Sequence, residues 1–304
     1  MLTLPEGVHF FERGWLSSNS TLLVDCHSAI MIDSGYHTHA EQTAALVAPF
    51  FDSKQALTLI NTHLHSDHCG GNAFLQHLYP QLRTLTPPAH LASVRQWDPV
   101  ALSYKPTGQH CPEFSVSGPF SNGDFFTVGK LTWKAYSAPG HDPNSLVIFC
   151  DELKILISAD ALWANGFGVV FPELEGTEAF DEVKSTLQLI EELKPKIVLP
   201  GHGAIFTDVQ HALSNARSRL DSFVKNPVKH ANYAVKVLLK FKLLEQQSMP
   251  IASLFEWARE TPYFDLIHQR YFASTKFDAW IYAVCNQLEM SKACTIDNGV
   301  VINA

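Results

Sequence analysis

The chain contains no Cys-x-x-Cys pair and no dense cysteine framework; its six cysteines, Cys26, Cys69, Cys111, Cys150, Cys285 and Cys294, are scattered over 304 residues. That excludes a disulfide scaffold and points to reduced thiols in a cytosol-like compartment. Charges interrupt every apolar run well short of the roughly 18 residues that a transmembrane helix needs. The N-terminus, MLTLPEGVHFFERG, lacks a basic stretch leading into an apolar one, so no signal peptide is expected and the expected location is cytoplasmic. Internal repeats and low-complexity segments are absent. Positive charge is also in deficit: 22 Lys and Arg against 30 Asp and Glu give a net charge of −8. Such a balance opposes a purely electrostatic grip on nucleic acid or on an anionic membrane.

With 46% hydrophobic and 17% charged residues, the composition is that of a globular protein. Its length predicts two domains, 1–206 and 207–304. In the first, short apolar stretches alternate with turns and helical patterns. Strands are expected at 21–24, 29–32, 57–60, 131–137, 145–150, 154–157 and 197–199, and helices at 39–51, 73–78 and from an N-cap at Thr177 to Pro195. This alternation predicts a mixed α/β layered domain. Residues 85–123, rich in Pro, Gly, Ser and His, read as loops and short helices over one end, where substrate-selecting groups tend to sit. The second part reads as helices at 209–224, 233–244, 251–259, 264–272 and 279–288. An Asn298-Gly299 turn between two β-prone runs follows, so a helical, winged-helix-like module is expected.

The sharpest feature is His63-Leu64-His65-Ser66-Asp67-His68, three histidines and an aspartate in six residues. Packed together without a partner these titratable rings would conflict, whereas neutral imidazoles and a carboxylate are natural ligands of a divalent metal. A solvated polar turn is the alternative. His141 in Ala-Pro-Gly-His, Asp160 in Ser-Ala-Asp and His202 in Pro-Gly-His likewise follow predicted buried strands, whose neighbouring ends lie about 5 Å apart and can converge. Seven candidate ligands suit two ions.

In this order the motifs resemble the metallo-β-lactamase superfamily: His-x-His-x-Asp-His, then Pro-Gly-His, then an Asp after a strand, then a final Gly-His. The resemblance covers the first two thirds of the chain and implies an αββα sandwich with metals at one edge. It implies that His63, His65 and His141 hold one metal, that Asp67, His68 and His202 hold the other, and that Asp160 bridges them. Asp33, in Ile-Asp-Ser-Gly, matches the family's aspartate that orients the motif loop; capping a turn is its rival role. Two divalent ions are expected, zinc first, with iron and manganese suited to the same donors. A metal-bridged hydroxide would attack the substrate, with Asp67 and Asp160 as the catalytic carboxylates. No Gly-x-Ser-x-Gly elbow is present to support a serine mechanism.

Among the superfamily's activities, Asp160 favours hydrolases with a bridging carboxylate, and Leu-Pro-Gly-His-Gly with the helical tail is similar to a glyoxalase-II-like branch. The expected substrate is a small-molecule thioester or related acyl ester. The alternatives are an endoribonuclease or phosphodiesterase, a non-catalytic ligand-binding or regulatory protein, and sulfur dioxygenation at a single iron. No membrane partner is expected, nucleic acid is the less favoured partner, and a homodimer is one open arrangement. Between Arg217 and Lys242 seven basic residues face one acid, Asp221. They form either a solvated helix face or a grip on an anion. Tyr36, His37 and His39, then Trp163, Asn165 and Phe167, then Tyr104, Lys105 and His110 are candidate cleft residues, each with a plain structural alternative. Cys69 reads as a small buried thiol.

Overall fold

The computed structural model describes residues 3–52 and 55–304; Met1 and Leu2, at the start of the expected first domain, lie outside them. One sheet has six strands in chain order: β1 (Val8–Phe11), β2 (Ser20–Val24), β3 (Ser28–Ile32), β4 (Ala56–Ile60), β5 (Arg83–Thr86) and β6 (Gly118–Pro119). The second has five, β7 (Phe125–Val128), β8 (Leu131–Ser137), β9 (Leu146–Cys150), β10 (Ile155–Ala159) and β11 (Ile197–Pro200), in the order β11-β10-β9-β8-β7. Alternation along the central strands explains the layering. Ile30 and Ile32 of β3 meet Ile148, Ile155 and Ile157 of the other sheet, while Ala29 and Met31 turn the opposite way. Ala29 and Met31 pack under α1 (Ala40–Val47) and near Leu75, beyond the short α2 (Ser66–Cys69), in α3 (Asn72–Leu78).

After α4 (Leu91–Gln96), α5 (Tyr104–Thr107) and α6 (Phe171–Glu175), the long helices α7 (Phe180–Leu193) and α8 (Val209–Lys225) cover the outer face of the second sheet. Val147, Phe149, Leu156 and Val198 pack against Val183, Leu187, Leu213 and Leu220. The result is helix, sheet, sheet, helix, with the central strands buried on both faces, and it explains why they read as continuous apolar runs. Although α8 lies beyond residue 206, it buries its apolar face in this sandwich.

Downstream are α9 (Pro227–Gln246), β12 (Ser248–Pro250), α10 (Ile251–Glu260), α11 (Pro262–Ile267), α12 (Phe277–Met290), β13 (Cys294–Asp297) and β14 (Val300–Asn303). The three strands form an antiparallel sheet in the order β12-β14-β13. Asn298 and Gly299, both at positive φ, make the β13–β14 turn that their sequence predicts. These elements share a core with Val169 and Leu174 of the first part. Among the described residues no helix is long and apolar enough to cross a membrane.

Several boundaries differ from the pattern reading. Thr177 does not cap α7: the Glu173 carboxylate accepts from the backbone N–H groups of Ala179 and Phe180 at 2.6 and 2.8 Å, so the helix starts at Phe180. The helix expected from Tyr233 begins six residues earlier, at Pro227, because Asn226 caps it through the N–H of Lys229. The expected helix 264–272 is α11 followed by a π-helical turn, His268–Phe272. Strands β1, β5, β6, β7 and β12 are short or polar and carry no clear alternation.

Candidate metal centre

Strand direction decides where the candidate ligands fall. β3 runs parallel to β4, while β8 and β10, both antiparallel to β9, share a direction with β11. The segments leaving β8, β10 and β11 therefore emerge at one edge of their sheet, and the segment leaving β4 meets them there. The structure brings His63, His65 and His141 into one group and Asp67, His68, Asp160 and His202 into a second, each with its ligand atoms within 4.8 Å of one another.

The 62–69 loop is held from both sides. Asp33, at φ +58°, accepts from the Thr62 N–H, the Thr62 hydroxyl and His68 Nδ1, each at 2.8 Å. The Thr62 hydroxyl oxygen lies 3.1 Å from His63 Nδ1. Behind the loop, Leu64 and Cys69 pack with Val94, Leu102, Tyr104 and Phe114, so much of the irregular 85–123 segment buttresses the motif. Ser18 N–H donates to Asp67 O and Asn19 N–H to Gly201 O, while the Asn19 side-chain amide donates to Pro200 O and Gly203 O. Glycine is required at two close approaches: a Cβ on Gly168 would lie 2.3 Å from His141 Nδ1, and one on Gly201 would lie 2.3 Å from Asp160 Oδ1.

The donor atoms fit cations. His63 Nε2 and His65 Nδ1 are 3.1 Å apart, and His65 Nδ1 and His141 Nε2 are 2.8 Å apart. His141 Nδ1 donates to Val169 O at 2.5 Å, and His63 donates its own Nδ1 proton to Thr62, so their Nε2 lone pairs point inward at each other. Burial holds all three rings below the ordinary imidazole value, His65 at about 3. They are neutral donors in need of a shared acceptor of electron pairs. In the second group, His68 Nε2 is buried without a hydrogen-bond partner among the described residues, 3.4 Å from Asp160 Oδ1 and 3.8 Å from Asp67 Oδ2. His202 Nε2 lies 3.1 Å from Asp67 Oδ2 and 3.8 Å from Asp160 Oδ1. Burial alone would lower His68 and raise the two carboxyls. Their mutual attraction outweighs it, so His68 is pushed up and Asp67 and Asp160 are held below the usual carboxylate range. Asp160 faces both groups, since its Oδ2 is 3.4 Å from His141 Nε2. The fold and these His and Asp groups indicate divalent metal ions.

Above the ligands is a cleft of about 100 Å³ walled by Trp15, Trp163, Phe171, Val237 and Phe241. Trp15 stacks on His202 with ring centroids 5.2 Å apart and an interplanar angle of 6°, and Trp163 Nε1 donates to Asp160 Oδ1 at 3.3 Å. Trp15 is not flagged by the sequence, because one tryptophan in a polar N-terminal loop has no pattern. Of the other candidates, Phe167 is a core residue of the α7–α8 layer, and Asn165 lines a separate groove. Tyr104 is buried with its hydroxyl 3.1 Å from Cys69 Sγ, which removes it from any substrate. Tyr36 is also buried and donates to Glu245 Oε1 of α9 at 2.7 Å, while His37 and His110 rings meet edge to face at 4.6 Å.

A family model described as the metallo-beta-lactamase superfamily matches residues 13–202. An atrochrysone carboxyl ACP thioesterase of Aspergillus fumigatus is 25% identical over 203 residues, 66% of this chain and 56% of its own length. A hydroxyacylglutathione hydrolase of Brucella ovis is 25% identical over 200 residues, 66% of this chain and 65% of its own length. The chain thus spans less than two thirds of each of these curated relatives. Among solved structures, a metallo-beta-lactamase family protein from Thermus thermophilus superposes with a TM-score of 0.58 at 17% identity, covering 99% of this chain and 100% of that one. The shared fold therefore extends through the C-terminal helices.

Proposed function

Because this chain belongs to the metallo-beta-lactamase superfamily, we propose that it is a dinuclear metal-dependent hydrolase that cleaves a thioester or a related acyl ester. In this reading His63, His65 and His141 hold one ion, Asp67, His68 and His202 hold the other, and Asp160 is shared. Zinc is the ion we propose first, with iron and manganese suited to the same donors. The observation that carries the reading is the position of Asp160, one oxygen toward His68 and His202 and the other toward His141.

Two divalent ions so held supply Lewis acidity, making water nucleophilic near neutral pH and polarising an acyl oxygen. Asp67 orients the attacking water. The acyl carbon gains the water oxygen, the C–S bond breaks, and the thiol leaves with a proton. Trp15, Trp163 and Phe171 hold an apolar acyl group against the ligands and keep bulk water out. Two relatives support an acyl substrate by name, one for thioester cleavage on ACP and one for hydrolysis of hydroxyacylglutathione. A narrow apolar cleft suits an acyl chain better than an RNA strand. The C-terminal elements are best read as a winged-helix-like module, with helices between β12 and the β13–β14 hairpin.

The test is the initial rate on a panel of acyl thioesters with protein of known metal content, Asp160→Ala serving as the blank. Turnover that disappears in the variant is expected; fully loaded protein without turnover would refute the acyl-hydrolase assignment.

A further inference from the structure

The basic residues between 217 and 242 separate into two sets. Arg217 pairs with Glu191, Lys242 pairs with Glu245, and Lys240 donates to Ala293 O, Asn303 Oδ1 and Ala304 O. Arg219, Lys229 and Lys236 instead line one groove of about 610 Å³ between α8 and α9, while Lys225 is apart from it. Lys229, Asn232, Tyr233 and Lys236 lie at i, i+3, i+4 and i+7 on one face of α9, opposite Arg219 and Ser222 of α8. A polar stripe of this spacing ordinarily faces open water. Here it faces a second polar stripe across a concave space. Among the described residues no carboxylate lines the groove, and none of its three cations has a carboxylate partner.

Arg219 is fixed in advance. Its guanidinium lies 5.2 Å from the Tyr233 ring centroid and donates to Phe167 O at 3.3 Å, where a Cβ on Gly166 would come within 2.6 Å of its Cζ. A rigid fork, two ammonium groups, of which Lys229 also donates to the Ser222 hydroxyl, and amide and hydroxyl groups match a multiply charged oxyanion such as phosphate, whereas a single carboxylate would satisfy few of them. Tyr233 borders both this groove and the metal cleft. The two spaces thus adjoin at Tyr233.

Resting on the thioester reading above, we propose that this groove binds the phosphate-bearing arm of the thiol carrier while the acyl group lies over the metals. A carrier protein's arm is attached through a single phosphodiester of one negative charge, so the multiply charged nucleotide end of a free coenzyme is the source this donor set favours. Hydrolysis of one acyl group presented as its N-acetylcysteamine, coenzyme A and acyl-carrier-protein thioesters tests this and separates the sources by which phosphate-bearing ester has the lower KM. KM for the coenzyme A ester is expected about tenfold below that of the N-acetylcysteamine ester, with the gap closing as salt is raised. In the Lys229→Gln/Lys236→Gln double variant, made at accessible positions, the gap is expected to shrink severalfold. Equal KM values in the wild type, or an unaltered gap in the variant, would overturn the proposal. Calorimetric titration with 3′-phosphoadenosine 5′-diphosphate gives a readout that needs no turnover. If no thioester is hydrolysed, the proposed function fails and this titration decides the groove: binding that the double variant loses supports it, and a wild type that does not bind overturns it.

Discussion

His230 links the C-terminal helices to the candidate ligands, and its titration has a calculable consequence. The side chain is 1% exposed, packed between Phe180 and Phe223. Its Nε2 accepts from the Val170 N–H at 3.1 Å, and the adjoining Val169 carbonyl accepts from His141. Burial lowers its pKa from 6.5 to about 4. The unfolded chain therefore binds more protons between those values, and stability falls as pH drops through that window, with the loss complete below the folded pKa. From pH 7.5 to pH 5 the linkage amounts to roughly 2 kcal/mol, at about 1.4 kcal/mol per unit of separation weighted by the fraction protonated. Urea unfolding of wild type and His230→Gln at both pH values isolates this contribution, because glutamine keeps an acceptor and removes the titration. The wild type is expected to lose about 2 kcal/mol more than the variant over that interval. Parallel losses in the two proteins would refute a neutral, buried His230 in the folded state.

Three further substitutions probe the site. Asp33→Asn presents a neutral amide to the Thr62 and His68 donors, and about 10- to 100-fold weaker metal retention is expected, read as metal per chain after dialysis against a chelator. Gly168→Ala drives a methyl into His141 and is expected to cost at least about 2 kcal/mol in urea unfolding, whereas Gly14→Ala, with nothing within 4 Å, is expected to be close to neutral. Trp15 is 55% exposed, so Trp15→Ala should leave the urea midpoint nearly unchanged. Its KM for a long or aromatic acyl thioester should rise about tenfold relative to the acetyl ester, and an equal change for both would remove Trp15 from the acyl wall.

The parts of this molecule that were legible in sequence are those whose chemistry is local. His63 to His68 carry their meaning in six consecutive residues, and β3, β9 and β10 announce themselves because burial on both faces demands largely apolar runs. What was illegible depends on encounters between distant segments. The α7 cap is supplied from α6 by Glu173, Tyr104 is withdrawn from the cleft by Cys69, and Trp15 reaches His202 although the two are far apart in the chain. Strands β5 and β6 survive at one end of their sheet because they pair in register with it, through Leu85 and Gly118, despite weak composition of their own.

The same distinction bears on how far the candidate site can be separated from the rest of the chain. All seven candidate ligands fall between His63 and His202, inside the segment matched by the family model. Their surroundings do not. His230 fixes the 169–170 peptide that orients His141, Glu245 holds Tyr36 beside the 62–69 loop, and Tyr233, Val237 and Phe241 wall the cleft, all from α9. Val209, Leu213 and Leu220 of α8 fill the outer face of the second sheet. Removing residues beyond 206 would strip apolar cover from that sheet and cut the support behind one ligand. The helices are thus part of what shapes the centre, and the groove between α8 and α9 shares Tyr233 with the cleft above it.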